Sequence, residues 1–193
     1  MPYISVPITQ ELNTHLNDCI PEFQRHELYT TIIHESPNRF FKSSFLGSSN
    51  LFNHLHKCIF FCHKITGMIN YLDMCLNLFT NNEEILNAQT CRGHTYLHLA
   101  CVCPVTKIRE TLIKLLLSKG IKINVLCSCN YNELHIACLQ ATKDKNNVDQ
   151  DASFNTIKLL VSAGIDINQK NWYGTTCLSI LLISNCDAKK EII

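Results

Sequence analysis

Apolar residues recur at helical spacing in two similar stretches of the second half of the chain. The stretches are TLIKLLLSKGIKIN and NTIKLLVSAGIDIN, and each predicts an amphipathic helix. Gly120 and Gly164 follow the last apolar turn of each helix, where a left-handed residue commonly ends it. The extended tetrapeptides IKIN and IDIN then lead into the next part of the chain.

A shorter apolar segment precedes each of these helices, and a third copy follows them. The three segments are GHTYLHLAC from Gly93, NYNELHIAC from Asn130 and GTTCLSILL from Gly174. Each predicts a turn followed by a short helix, so the chain contains repeated helix pairs. One such pair cannot bury its apolar face alone, whereas stacked neighbours can. The segments begin 37 and 44 residues apart, and Ala141–Ser153 (ATKDKNNVDQDAS) is predicted to be an exposed loop between two helices.

These segments resemble the ankyrin repeat, which opens with Thr-Pro-Leu-His and has a glycine before an Ala-Asp-Val-Asn-like stretch. Tyr96, Glu133 and Cys177 stand where that family prefers proline, and the copies are longer than its usual length of about 33 residues. The resemblance covers residues 86–193. It implies an all-α fold, an ankyrin-repeat solenoid of two full repeats plus a partial one.

A narrower resemblance is carried by LNAQTCRGHTYLHLAC, IKLLLSKGIKINV and TIKLLVSAGIDINQKNWYGTTCL. In order and spacing these segments are similar to the C-terminal ankyrin repeats of the fem (feminisation) family. Members of that family are substrate receptors of cullin-based ubiquitin ligases. The resemblance implies that this chain is a fragment or truncated isoform of such an adaptor.

The first 85 residues are predicted to be a helical N-terminal region. A helix is expected over Glu22–His34, before Pro37. A longer helical period runs from Leu51 to Phe79, and Gly67 is expected to divide it into two helices. We expect this helical segment to cap the apolar end of the repeats.

Composition and charge limit the classes of partner. Hydrophobic residues make up 46% of the 193 residues and charged residues 17%, which is too apolar for a disordered chain. The net charge of +1 provides no field that would attract nucleic acid or an anionic membrane surface. Polar residues interrupt the longest apolar stretch, Cys58–Phe79, so no membrane span is predicted. The expected partners are other proteins, with no nucleic acid, membrane, small-molecule substrate or cofactor.

The chain has 12 cysteines, many of them inside apolar helical patterns. The N-terminal sequence lacks the basic and apolar regions of a signal peptide, so free thiols in the cytoplasm or nucleus are expected. The cysteines offer two alternative zinc sites. The first uses His54, Cys58 and Cys62, which are spaced along one predicted helix. The second uses two C-x-C pairs. They should lie at opposite ends of a helix roughly 15 Å long, which is too far apart to share one ion. The pairs are Cys101 with Cys103, and Cys127 with Cys129. No metal site is predicted.

His98 and His135 share one position in the repeated segments, which favours a structural role over catalysis. In ankyrin repeats the equivalent histidine forms hydrogen bonds within and between turns. No catalytic triad, phosphate-binding glycine loop or metalloprotease helix is present, so the chain is not expected to be an enzyme.

The turns and first helices of stacked repeats form a concave face, where exposed polar and aromatic residues contact partners. The predicted partner-binding residues are Arg92, His94 and Tyr96 in the first copy, Asn130, Tyr131 and Glu133 in the second, and Trp172, Tyr173 and Thr175 in the third. The predicted function is a protein–protein interaction module, a substrate-recognition fragment in a cullin-type ubiquitin-ligase pathway. The alternatives are a metal- or redox-responsive regulator that uses the cysteine clusters, and a host-directed ankyrin effector.

Overall fold

The computed structural model describes residues 55–183, with gaps at 57, 61, 65–66, 91 and 144–146 and without the side chains of 147–149. All regular secondary structure in these ranges is helical, in agreement with the predicted all-α class. The predicted helix Glu22–His34 lies outside the described residues. The chain divides into two compact units, Met1–Cys91 and Arg92–Ile193, close to the boundary predicted after residue 85.

In the first unit, residues 55, 56 and 58–60 are helical, and Gly67 precedes helix α1, Met68–Leu78. Gly67 has a φ of 81°, which confirms that the helical period is broken there. A second helix, α2, spans Glu83–Leu86 and is capped by Asn82, whose side chain accepts a hydrogen bond from the Ile85 amide. The buried residues of α1 recur at helical spacing and form one apolar face: Met68, Tyr71, Leu72, Cys75 and Leu76.

The second unit contains five described helices. They are α3 (Tyr96–Cys101), α4 (Thr106–Ser118), α5 (Glu133–Ala141), α6 (Asn147–Ser162) and α7 (Cys177–Ile183). The shorter helices α3, α5 and α7 pack in one row, α5 in the middle. The longer helices α4 and α6 pack against each other and against α3 and α5 respectively. Each predicted helix pair is therefore present, and consecutive pairs lie side by side.

The two glycines predicted to end the longer helices have left-handed backbones. Gly120 follows α4 with a φ of 71°, and Gly164 follows α6 with a φ of 89°. The amide of Gly164 donates to the carbonyl oxygen of Val161 at 3.0 Å, and that of Gly120 to Leu117 at 3.1 Å. These bonds satisfy carbonyl groups that the last helical turn leaves free. The predicted helix stops are confirmed.

The predicted exposed loop Ala141–Ser153 is wrong. Ala141 is the last residue of α5, and α6 already begins at Asn147. Ser153 is buried, and so are Thr156, Ile157 and Leu160 one and two turns later. Part of the extra sequence in the second copy therefore belongs to its second helix. The buried hydroxyl groups of Ser153 and Thr156 have hydrogen-bond partners within the fold.

Arg109 of α4 explains how this polar face is buried. Its side chain is fully buried, its Nε donates to the carbonyl oxygen of Cys103 at 2.8 Å, and its Nη1 donates to Ser153 Oγ at 2.6 Å. A buried guanidinium needs such partners, because a buried charge without hydrogen bonds is costly. Arg109 thus joins the end of α3, the start of α4 and the middle of α6.

Candidate functional site

The turns that precede α3, α5 and α7 form a connected row at one end of the second unit. The Ser128 amide donates to the carbonyl oxygen of Arg92 at 2.9 Å, which joins the first and second turns. The Trp172 amide donates to the carbonyl oxygen of Cys129 at 3.4 Å, which joins the second and third. Since the links run through backbone atoms, side chains on these turns have fixed spacing. We call this row the turn surface; it comprises residues 92–95, 127–132 and 171–176.

The third turn presents two aromatic side chains to solvent. The side chain of Asn171 accepts hydrogen bonds from the amides of Tyr173 at 2.9 Å and Thr175 at 3.0 Å. Its carbonyl oxygen accepts from the Gly174 amide at 2.9 Å. Trp172 and Tyr173 at the tip are 69% and 82% exposed. A rigid backbone therefore carries two large aromatic side chains in water, an arrangement typical of binding anchors.

The predicted residues of the first two turns are less exposed. Arg92 is exposed, whereas His94, Asn130 and Tyr131 are half-buried. The His94 ring lies 5.7 Å from that of His98, centroid to centroid. Tyr131 makes the equivalent contact in the second copy, its ring lying edge-on to His135 at 5.4 Å. These side chains have one face on the fold and another available to a partner. Thr175 of the third turn is also half-buried.

Tyr96 and Glu133 are wrongly predicted as exposed. Both are fully buried, because each is the first residue of a helix in the packed row. The Glu133 carboxylate accepts hydrogen bonds from the amides of Asn124 at 3.1 Å and Val125 at 3.4 Å. It therefore holds the segment that enters the second turn. Burial raises the pKa of Glu133 to about 7, against the opposing effect of these backbone hydrogen bonds.

His98 connects its own helix start to the next turn, which confirms the predicted structural role. Its Nδ1 lies 2.9 Å from the Thr95 hydroxyl and accepts from the Thr95 amide at 3.3 Å. Its Nε2 lies 3.1 Å from the carbonyl oxygen of Tyr131. A neutral ring with its proton on Nε2 fits all three contacts, because the hydroxyl can donate to Nδ1. Burial lowers the pKa of His98 to about 4.

His135 repeats this connection in the second copy, with Nε2 at 3.2 Å from the carbonyl oxygen of Thr175. Here the helix start is Asn132, whose Oδ1 lies 2.6 Å from His135 Nδ1. Asn132 Nδ2 donates to the carbonyl oxygen of Asp166 at 2.9 Å, which fixes the amide so that its oxygen faces the ring. The backbone amide of Asn132 donates to the same Nδ1 at 3.2 Å, so this nitrogen faces both a donor and an acceptor of one residue.

The pKa of His135 is raised. Burial acts to lower it, but the hydrogen bond and charge of Cys177 and the carbonyl group of Thr175 outweigh burial. The pKa values of these equivalent histidines are thus shifted in opposite directions, because their neighbours differ.

A comparison with models of protein families finds no match, and a comparison with curated proteins finds none either. The geometry of the turn surface is therefore the basis for assigning a function.

In the described ranges, no group of three or more His, Cys, Asp and Glu side chains is placed to hold a metal ion. Cys58 and Cys62 are buried, and His54 of the first zinc alternative lies outside these ranges. Cys101, Cys103 and Cys127 are buried, whereas Cys129 is exposed. None of the described helices has the length and apolarity to cross a membrane.

Sequence reasoning missed several residues of this unit. The sequence pattern does not single out Asn132, although this residue contacts both the His135 ring and the carbonyl oxygen of Asp166. Arg109 gave no signal, since an arginine in an amphipathic helix is usually exposed.

Proposed function

We propose that residues 92–183 are part of an ankyrin-repeat module that binds another protein through the turn surface. The repeated helix pairs, the left-handed glycines after each long helix and the histidine bridges between turns all support the ankyrin assignment. In such a module the turns and first helices contact the partner. No chemistry is assigned to the turn surface.

The exposed pair Trp172 and Tyr173 carries the proposal. Large aromatic side chains bury much area at low entropic cost, and they are enriched among residues that dominate binding energy. Here the turn is already ordered by Asn171 and by the link from Trp172 to Cys129, so binding would cost little further ordering. Arg92 and Tyr131 extend the same row and supply a cation and a phenol group.

The narrower role, substrate recognition in a cullin-type ubiquitin-ligase pathway, rests on the fem-like segments of the sequence. It adds one expectation to the general proposal. The proteins captured by the turn surface should include ligase subunits or substrates. A cytoplasmic or nuclear location belongs to the same proposal.

The first experiment compares three forms of the full chain in affinity capture from cell lysate, read by quantitative mass spectrometry. They are wild type, Trp172→Ala/Tyr173→Ala, and the control Val105→Ala/Val161→Ala, which removes two exposed apolar side chains outside the turn surface. A partner of the turn surface should be retained by the control and lost by the aromatic variant. Capture of the same proteins by all three forms would reject the turn surface as the binding site.

The second experiment titrates a captured partner directly against each form. Removing two hot-spot side chains should weaken binding by about 2 kcal/mol or more, roughly a 30-fold rise in Kd. The control should bind as wild type does. Circular dichroism of all three forms checks that the fold is intact. Retention of ligase subunits by wild type and control alone would support the adaptor role, and a different set of partners would reject it.

A further inference from the structure

The two compact units carry opposite net charges, although the whole chain is nearly neutral. Residues 92–193 contain 12 Lys and Arg against 8 Asp and Glu, whereas residues 1–91 contain 5 against 8. The second unit therefore has a positive balance that the net charge of the chain conceals. Exposed charges act mainly within about one Debye length, roughly 10 Å, so their position on the second unit decides what they attract.

The turn surface contains one ordinarily charged side chain, the exposed guanidinium of Arg92 in the first turn. A second cation, Lys170, is exposed and directly precedes the third turn. Burial and the positive charge of Arg92 lower the pKa of His94, so this imidazole is neutral near pH 7. Arg92 and Lys170 therefore supply the cations at the two ends of the row of turns.

Two carboxyl groups lie close to the turn surface in the sequence, and neither belongs to it. Glu133 follows the second turn, but it is fully buried, and its carboxylate accepts hydrogen bonds from backbone amides of the preceding segment. Asp166 is exposed four residues before Lys170, and its carboxylate accepts a hydrogen bond from the Asn168 amide at 2.9 Å. The turn surface itself contains no acidic residue, so an anionic ligand meets no like charge on it.

The backbone links between the turns limit the distance between the two ends of the row. Arg92 is hydrogen-bonded to Ser128, and Cys129 is hydrogen-bonded to Trp172. Residues joined in this way have Cα atoms about 5.5 Å apart, and consecutive residues have Cα atoms about 3.8 Å apart. The Cα atoms of Arg92 and Trp172 therefore lie within roughly 15 Å of each other, a distance that an extended peptide of about five residues covers.

We propose that the turn surface binds an extended acidic segment of its partner protein, about five to eight residues long, with an apolar side chain against Trp172 and Tyr173 and carboxylates near Arg92 and Lys170. This inference rests on the proposed function, because it names the chemistry of the ligand for the same surface. The aromatic pair supplies apolar contact area. The cations attract carboxylates and repel basic segments, so they determine which segment binds.

Exposed aromatic and basic side chains also occur together in proteins that bind single-stranded nucleic acid. Such proteins provide a continuous positive groove, because several phosphate groups have to be neutralised along the strand. Between Arg92 and Lys170, the exposed side chains of the second turn are neutral, Ser128 and Cys129. One cation at each end of the row fits a short peptide with a few carboxylates better than it fits a phosphate backbone.

The test measures how much of two fluorescein-labelled octapeptide pools the immobilised full chain retains at low salt. The acidic pool has Asp or Glu at the two positions at each end and every uncharged residue except cysteine at the central positions. In the matched pool, Asn and Gln replace Asp and Glu. We expect wild type to retain the acidic pool roughly 5-fold more than the amide pool, with a smaller difference at high salt. Equal retention of the two pools would overturn the proposal.

Two charge variants locate the preference. Arg92→Gln/Lys170→Gln removes both cations of the row, and Lys107→Gln/Lys158→Gln removes two exposed cations outside the turn surface as the matched control. The first variant should retain roughly 5-fold less of the acidic pool and as much of the amide pool as wild type, whereas the control should behave as wild type. Equal losses in the two variants would indicate attraction by overall charge and would overturn the proposal.

The aromatic variant separates failure of this inference from failure of the proposed function. Trp172→Ala/Tyr173→Ala should lose both pools. If it loses them while wild type retains both equally, the turn surface remains the binding site and only the acidic preference is rejected. If it retains the acidic pool as wild type does, both proposals are rejected.

A labelled strand of oligodeoxythymidylate is the nucleic-acid probe in the same assay. We expect wild type to retain less of it than of the acidic pool, and we expect an unlabelled strand not to displace that pool. Displacement of the acidic pool by the strand, together with loss of the strand in Arg92→Gln/Lys170→Gln, would overturn the proposal in favour of nucleic acid.

Discussion

His98 and His135 occupy equivalent positions in consecutive copies, and each ring bridges the start of its own helix to a carbonyl oxygen of the next turn. The bridging distances, 3.1 Å to Tyr131 and 3.2 Å to Thr175, are nearly equal. The pKa of His98 is nevertheless lowered and that of His135 is raised. Burial and the neighbouring His94 lower the pKa of His98, whereas Cys177 and the carbonyl group of Thr175 raise that of His135 against burial. The N-cap residues also differ, since Thr95 contacts the ring through a hydroxyl group and Asn132 through an amide oxygen.

Replacing Asn132 by threonine should lower the pKa of His135. The hydroxyl would donate to Nδ1, as Thr95 does in the first copy, and would favour the neutral ring. NMR titration of the His135 ring protons measures this pKa directly, and the His98 ring is the internal control, with a pKa near 4 in both forms. An unchanged titration of His135 would show that Asn132 does not set its protonation.

Glu133→Gln should change how stability depends on pH. Burial raises the pKa of Glu133 to about 7 from 4.5, so the folded protein favours the protonated carboxyl group. Its contribution is fully present below pH 4.5 and is lost as the pH rises through about 7. From about pH 4.5 to about pH 8, the free energy of unfolding of wild type should fall by about 3 kcal/mol relative to the variant.

Urea denaturation of both forms across this range measures the difference. His98 acts in the opposite direction, since its lowered pKa gives a contribution present above pH 6.5 and lost as the pH falls through about 4. His98 Nδ1 lies 3.9 Å from Glu133 Oε1, so the effect of His98 cancels when its pKa is the same in both forms, which NMR titration of its ring measures. Parallel stability curves would contradict the shifted pKa of Glu133.

Gly93→Ala should destabilise the fold more than Gly174→Ala does. The two glycines are equivalent in the first and third segments and have φ values of 76° and 70°, so alanine brings a similar left-handed strain of about 1–2 kcal/mol at each. A Cβ at Gly93 would also lie 3.1 Å from Cys127 Cα and 3.2 Å from the Ser128 amide nitrogen, whereas one at Gly174 meets nothing within 4 Å.

Backbone atoms cannot rotate away as a side chain can, so the first and second turns would have to separate. We expect the free energy of unfolding of Gly93→Ala to lie about 1–3 kcal/mol below that of Gly174→Ala. Chemical denaturation of the two variants side by side gives the difference. Equal losses would mean that the turns tolerate separation.

Ser153→Ala should cost about 1–3 kcal/mol of unfolding free energy. Its hydroxyl accepts a hydrogen bond from the buried Arg109 guanidinium, and alanine would remove that acceptor from a buried charged donor. Ser162→Ala on the same helix is the control, because Ser162 is exposed and donates only to the carbonyl oxygen of Leu159. Its loss should be close to zero, and equal effects in thermal melts would contradict the role of Ser153.

Local patterns were sufficient to predict the helix pairs, the left-handed glycines and the structural histidines. Gly120 and Gly164 end helices through bonds to residues three positions earlier, and His98 closes a bond with a residue three positions before it. Hydrogen bonds between residues three positions apart depend on the local sequence, so periodicity and spacing are sufficient to predict them. The predicted N-terminal cap and the partner remain predictions.

Contacts between distant segments fixed the remaining features. The segment 147–153 has a polar composition but lies in α6, where Ser153 meets Arg109, 44 residues away. Glu133 is buried because its carboxylate binds amides of the preceding segment, although its sequence context resembles an exposed helix start. Which side chains are buried and which form pairs depends on how the helices pack against each other. A helical period in the sequence indicates only that one face of a helix is apolar.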